Sequence, residues 1–110
     1  MKKANITVFA TSLLLAITAT QAQAVEPYNG YSFCDEVVQS QDIDLINLQH
    51  RAWVLGWITG TDLSEDTKVS LKYDEEIIWQ SVISYCNKSE DDLHGATIEV
   101  YFDLLEKIDS

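Results

Sequence analysis

Apolar positions along this chain gather into helical-period stretches separated by short acidic segments. The longest stretch outside the N-terminus is residues 45–60, LINLQHRAWVLGWITG, in which Arg51 is the one residue certain to be charged. Leu45, Leu48, Ala52, Leu55 and Thr59 follow one helical stripe, and Ile46, Trp53, Trp57 and Gly60 an adjacent one. Together the stripes cover well over half of a helix circumference. That predicts a buried central helix, capped by Asp42 or Asp44 and ended by Gly60. Gly56 and Gly60 share a face, a spacing that in a helix too short to span a bilayer predicts close approach of a neighbouring helix.

Shorter elements flank it. Ser32 reads as an N-cap, with Asp35 and Glu36 in the first turn of a short helix over residues 33–39 that has Phe33, Cys34, Val37 and Val38 on its apolar side. Residues 61–72, TDLSEDTKVSLK, break the period and read as a polar, mobile loop with a strand-like touch near 68–71. Asp74 caps a helix over 75–87 that carries Ile78, Val82, Tyr85 and Cys86, with Asn87 suited to a left-handed C-terminal position. Ser89 and Asp92 form a capping-box-like pair before a last helix over 90–108, with Leu93, Ala96, Thr97, Val100, Tyr101, Leu104 and Ile108 on one face. The prediction is an all-α, four-helix domain.

The N-terminus changes the length that folds. Lys2 and Lys3, an apolar run over 6–17 and the small-x-small site Ala22-Gln23-Ala24 have the form of a secretory signal peptide, residues 1–24. Cleavage there leaves a single helical domain over 25–110, opening on a lead-in with Pro27 and an Asn29-Gly30 turn. No later segment is long enough to cross a bilayer, so no membrane insertion is expected after cleavage. The net charge of −11 becomes −13, because the signal removes two lysines and no acid. Such a surface repels nucleic acid and anionic lipid. An even pair of cysteines in a short exported chain predicts one disulfide, Cys34–Cys86.

Candidate chemistry is sparse. There is no CxxC, HxxxH or HExxH spacing, and His50 and His94 are far apart. Ser84 and His94 stand ten residues apart with no nucleophile motif around them. Neither an enzyme nor a cofactor or metal site is expected. Trp53, Trp57 and Trp79 are more aromatic bulk than a domain of this size readily hides. Trp53, Gly56, Trp57 and Gly60 are therefore the candidate surface for self-association or a protein partner.

The segment Phe33-Cys34-Asp35-Glu36, the Trp/Gly-rich helix, and Tyr85-Cys86 before a capped last helix resemble the small periplasmic HdeA/HdeB-type proteins. The family includes acid-stress chaperones, folded dimers near neutrality that loosen in strong acid and bind unfolding clients. The resemblance implies a periplasmic homodimer whose partners are unfolding proteins. It departs from those chaperones in lacking lysine-rich segments. Residues 55–63, LGWITGTDL, and the ending IEVYFDLLEKI are similar to the Rap/Tai immunity proteins of type VI secretion, which inhibit secreted peptidoglycan amidases and typically carry further cysteines. With every carboxylate neutral, five cations, two histidines and the N-terminus bring the mature chain to +8. An acid response is thus physically reasonable.

Overall fold

The computed structural model describes residues 30–109. The expected signal peptide and the first residues of the lead-in lie outside them. The described chain is all-α: α1 (Cys34–Gln39), α2 (Asp44–Glu65), α3 (Val69–Lys72), α4 (Glu75–Cys86) and α5 (Leu93–Asp109). The four expected helices are present, and α3 is an additional single turn.

Helices α4 and α5 form the scaffold. α5 buries Leu93, Ala96, Thr97, Val100, Tyr101 and Leu104, the face its period predicts, and α4 buries Ile78, Trp79, Val82, Ile83 and Cys86 against it. α1 adds Cys34 and Val37 and is tied to the end of α4 by the Cys34–Cys86 disulfide, with Cα atoms 4.8 Å apart across a sequence separation of 52. α2 closes the core with Val54 and Ile58.

Several local expectations are overturned by tertiary contacts. Ser32 does not cap α1; the N-cap is Phe33, without a side-chain hydrogen bond. The segment around it instead pairs with the start of α5. Leu93 N–H donates to Ser32 C=O, His94 N–H to Gly30 C=O and Cys34 N–H to Asp91 C=O, at 2.8, 2.8 and 2.9 Å. Backbone carbonyls thus satisfy amides that a helix N-terminus leaves open. Gly30 is required by packing here, not by a left-handed turn: its φ is not positive, and a Cβ there would lie 2.2 Å from the Trp53 ring. Asp92, not Ser89, caps α5, accepting from Gly95 N–H at 2.7 Å. Neither Asp42 nor Asp44 caps α2, whose N-cap is Ile43. Asn87 is right-handed, at φ −65° and ψ −18°. Asp74 does cap α4, accepting from Ile77 N–H at 2.9 Å.

The largest correction concerns the central helix. It does not end at Gly60 but runs to Glu65 and stops at Asp66, a left-handed residue at φ 54°. Residues 61–72 are therefore not a loop. They hold the last turn of α2, a short link and α3, which is helical where a strand-like touch was expected.

Candidate interaction site on the two faces of the long helix

The inward side of α2 is a single row spaced by four: His50, Val54, Ile58 and Asp62. Two of these four are ionisable. Asp62 is 7 % exposed and accepts from Val69 N–H at 3.1 Å, Ser70 N–H at 2.7 Å, Ser70 Oγ at 2.6 Å and Thr67 Oγ1 at 2.7 Å. One carboxylate therefore fastens α3 to α2. Thr67 Oγ1 also lies 2.7 Å from Tyr101 Oη, which extends the network to α5. Burial by itself would raise the Asp62 pKa. The hydrogen bonds from Ser70, Thr67 and Val69 outweigh it and hold the group below the ordinary carboxylate range.

His50 is 2 % exposed. Burial pushes its pKa below the usual imidazole value, against the opposing pull of the Glu36 carboxylate. Its neighbour Arg51 bonds Glu76 and lies 3.8 Å from Glu75, while its guanidinium sits 5.7 Å from the Trp79 ring centre. Hydrogen bonds from Gln80 and Arg51, with the Arg51 charge, hold Glu76 below the ordinary carboxylate range. This cluster joins α2 to the first turn of α4.

On one flank of the inward row, Trp53 and Trp57 both meet His94 edge-on, at ring-centre distances of 5.8 and 5.9 Å. Trp57 also meets Tyr101 at 5.7 Å. Both tryptophans are half-buried and packed on the core. They border the outward side of α2 without forming its centre.

That outward side is not covered. Leu45, Leu48 and Leu63 are 66, 62 and 83 % exposed, and Gln49, Ala52, Gly56, Thr59 and Gly60 are exposed between them. The expected close approach of a neighbouring helix at Gly56 and Gly60 is not made within the subunit, for nothing lies within 4 Å of a Cβ built at either. The helix is therefore half enclosed: it buries a histidine and an aspartate and exposes leucines. The four candidate residues do come together, with the glycines in the open face and the tryptophans along its edge.

Sequence reasoning missed Asp62, Thr67 and Ser70. The available signal was the spacing of four from Val54 through Ile58 to Asp62, which continues the inward row past Gly60.

The remaining surface offers less chemistry. An open groove of about 750 Å³ runs between α4 and α5, lined by Ile77, Ser81, Ser84, Tyr85 and Val100 with both signs of charge around it. Ser84 lies in that groove, whereas His94 lies among the tryptophans of α2. Among the described residues there is no group of three or more His, Cys, Asp or Glu side chains able to hold a metal ion, and no helix is long and apolar enough to cross a membrane. Comparison with protein-family models, curated proteins and solved structures found no match.

Proposed function

We propose that this chain is a non-enzymatic periplasmic binding protein whose long helix loosens in acid and holds unfolding clients. One observation carries the reading: α2, the longest helix and one that carries leucines, is attached to the domain in part through carboxylates, Asp62 and Glu76, whose ionisation is lost in acid. Asp62 and Glu76 have folded pKa values below their unfolded ones. The stability each contributes is present above the unfolded value, near 4, and is lost as pH falls through the folded value. His50 is held neutral by burial, so its penalty begins as pH falls below about 6.5, where the unfolded chain takes up a proton first. All three act in the same direction. The disulfide between α1 and α4 does not titrate and keeps the remainder compact.

The test combines a surface-hydrophobicity dye titration with suppression of client aggregation between neutral pH and pH 2. Dye binding and client protection should emerge together in acid while the disulfide persists. A protein that stays native and inert at low pH removes the reading.

A second reading rests on the open face of α2, which needs no unfolding to be reached. It suits a protein that binds a folded partner at neutral pH, as an immunity protein does. Tight binding at pH 7 to a secreted peptidoglycan amidase encoded beside this chain, with no activity in acid, decides for it.

A further inference from the structure

Residues 67–73 are held in place by their neighbours. α3 is a single turn of four residues, too short to form alone, and Val69 is the one residue it buries. Leu71 is 80 % exposed. The segment runs from Asp66, left-handed at φ 54°, to Tyr73, which is extended. It packs against both α2 and α5, and Val69 joins Ile58, Tyr101 and Leu104 in the core. We propose that this segment is a proton-operated latch. Protonation of Asp62 frees residues 67–73 from α2 and α5 before α2 itself loosens, and uncovers the core around Ile58 and Tyr101. The inference concerns a motion of the domain and stands whether or not the domain holds clients.

The chemistry lies in the two oxygens of one carboxylate. Oδ1 accepts from Val69 N–H at 3.1 Å and from Thr67 Oγ1 at 2.7 Å. Oδ2 accepts from Ser70 N–H at 2.7 Å and from Ser70 Oγ at 2.6 Å. Each oxygen thus faces one amide and one hydroxyl. A hydroxyl can turn and accept, whereas an amide N–H can only donate. A proton on either oxygen therefore turns one hydroxyl round and leaves one amide against an O–H group, a weaker acceptor. The Oδ1 side carries the change on to α5. Thr67 Oγ1 gives its single proton to Asp62, so Tyr101 Oη is the donor across their 2.7 Å contact. Protonation of Oδ1 makes Thr67 accept from Asp62 and give its own proton to Tyr101, which reverses the chain of hydrogen bonds from α2 to α5.

Neighbouring charges play little part. Asp62 makes no ion pair among the described residues. The charged residues near it in the chain, Glu65, Asp66, Lys68 and Lys72, are exposed, and α5 faces it with the Tyr101 phenol, reached through Thr67. Burial raises the Asp62 pKa, and the hydrogen bonds from Ser70, Thr67 and Val69 outweigh burial, so the folded value lies below the ordinary one. The latch is therefore closed above the ordinary carboxylate pKa, near 4, and opens as pH falls through the folded value.

Hydrogen exchange on the purified protein, read by NMR as protection factors from pH 7 to pH 2, tests this. The amides of residues 69–73 should lose about tenfold or more of their protection across the titration of the Asp62 carboxyl, followed in the same samples by its carbon shift. The amides of Val54, Ile58, Val100 and Tyr101 should keep theirs across that titration. Asp62→Asn carries one acceptor oxygen and an NH2 donor, and should show the open segment already at pH 7, with no further change in it on acidification. If that variant does not fold, the wild-type series decides alone. Loss of protection in residues 69–73 and in α2 together, in one step, overturns the proposal. So does an Asp62→Asn protein whose segment stays protected at pH 7, or a wild-type segment already unprotected there. The acid reading fails separately. An open latch without client protection removes that reading and leaves the latch, whereas clients held with residues 69–73 still protected do the reverse.

Discussion

α5 and α2 are the two longest helices of the domain, and they use their apolar residues in opposite ways. In α5 the buried residues Leu93, Ala96, Thr97, Val100, Tyr101 and Leu104 fall at helical spacing on the face that hydropathy selects, with Glu99, Phe102, Asp103, Glu106 and Lys107 outside. In α2 the buried row is His50, Val54, Ile58 and Asp62, while Leu45, Leu48 and Leu63 face out. The difference lies in the neighbours. α5 is packed against each of the other four helices, whereas α2 closes the core from outside and is covered along one side. A side chain is buried because another element lies over it, and hydropathy predicts burial only where the apolar face and the covered face coincide.

The sharpest way to break this comparison is to truncate a leucine on each helix. Leu104→Ala in α5 should cost about 2–5 kcal/mol in a urea titration, the range for emptying a packed core position. Leu63→Ala in α2 should stay within about 0.5 kcal/mol. Equal losses would mean that the open face is covered in the protein under test.

Next in size is Asp62. Asp62→Ala leaves the amides of Val69 and Ser70 without their acceptor and should cost about 2–3 kcal/mol, with the earliest loss of amide protection in α3. Loss of stability with α3 amides still protected would show that α3 holds its place without the carboxylate.

The pH dependence resolves the contribution of the polar residues on the inward side. Stability should decline in two stages on acidification, first below about pH 6.5 through His50 and then below about pH 4 through Asp62 and Glu76. His50→Gln should remove the first stage and leave the second. A single stage in the wild type would assign the whole acid response to carboxylates. The smallest effect expected is a gain. Gly56→Ala places a better helix former where nothing obstructs its Cβ and should stabilise the subunit by about 0.5–1 kcal/mol.

Local chemistry was legible where its partner sits within a turn of the chain. Asp74 reaches the amide of Ile77 three residues on, and the Asp74 cap is read without knowledge of anything else. Ser32 and Ser89 present equally good cap signals, but the pairing of residues 30–34 with 91–94 supplies backbone acceptors from a distant segment and displaces both. Gly30 shows the same limit. Asn29-Gly30 signals a turn by composition, while the structural demand for glycine comes from the ring of Trp53, 23 positions along. The interaction site was half legible: Gly56 and Gly60 were singled out correctly as unusual, yet their face looks away from the core.

What the sequence by itself determined is the helical class, the approximate helix positions, the inward face of α5 and the single covalent link between Cys34 and Cys86. Each of these depends on a period, a local cap or the cysteine count, quantities carried by neighbouring residues or by composition. Only the tertiary structure decided which side of α2 is covered, that the helix continues through Gly60, and that Asp62 organises residues 67–70 as a tethered turn. The reason is energetic. Four hydrogen bonds converging on one carboxylate outweigh the cost of burying it and the low helix propensity of the segment that follows. Such a network exists only once residues far from its acceptor have been brought to it.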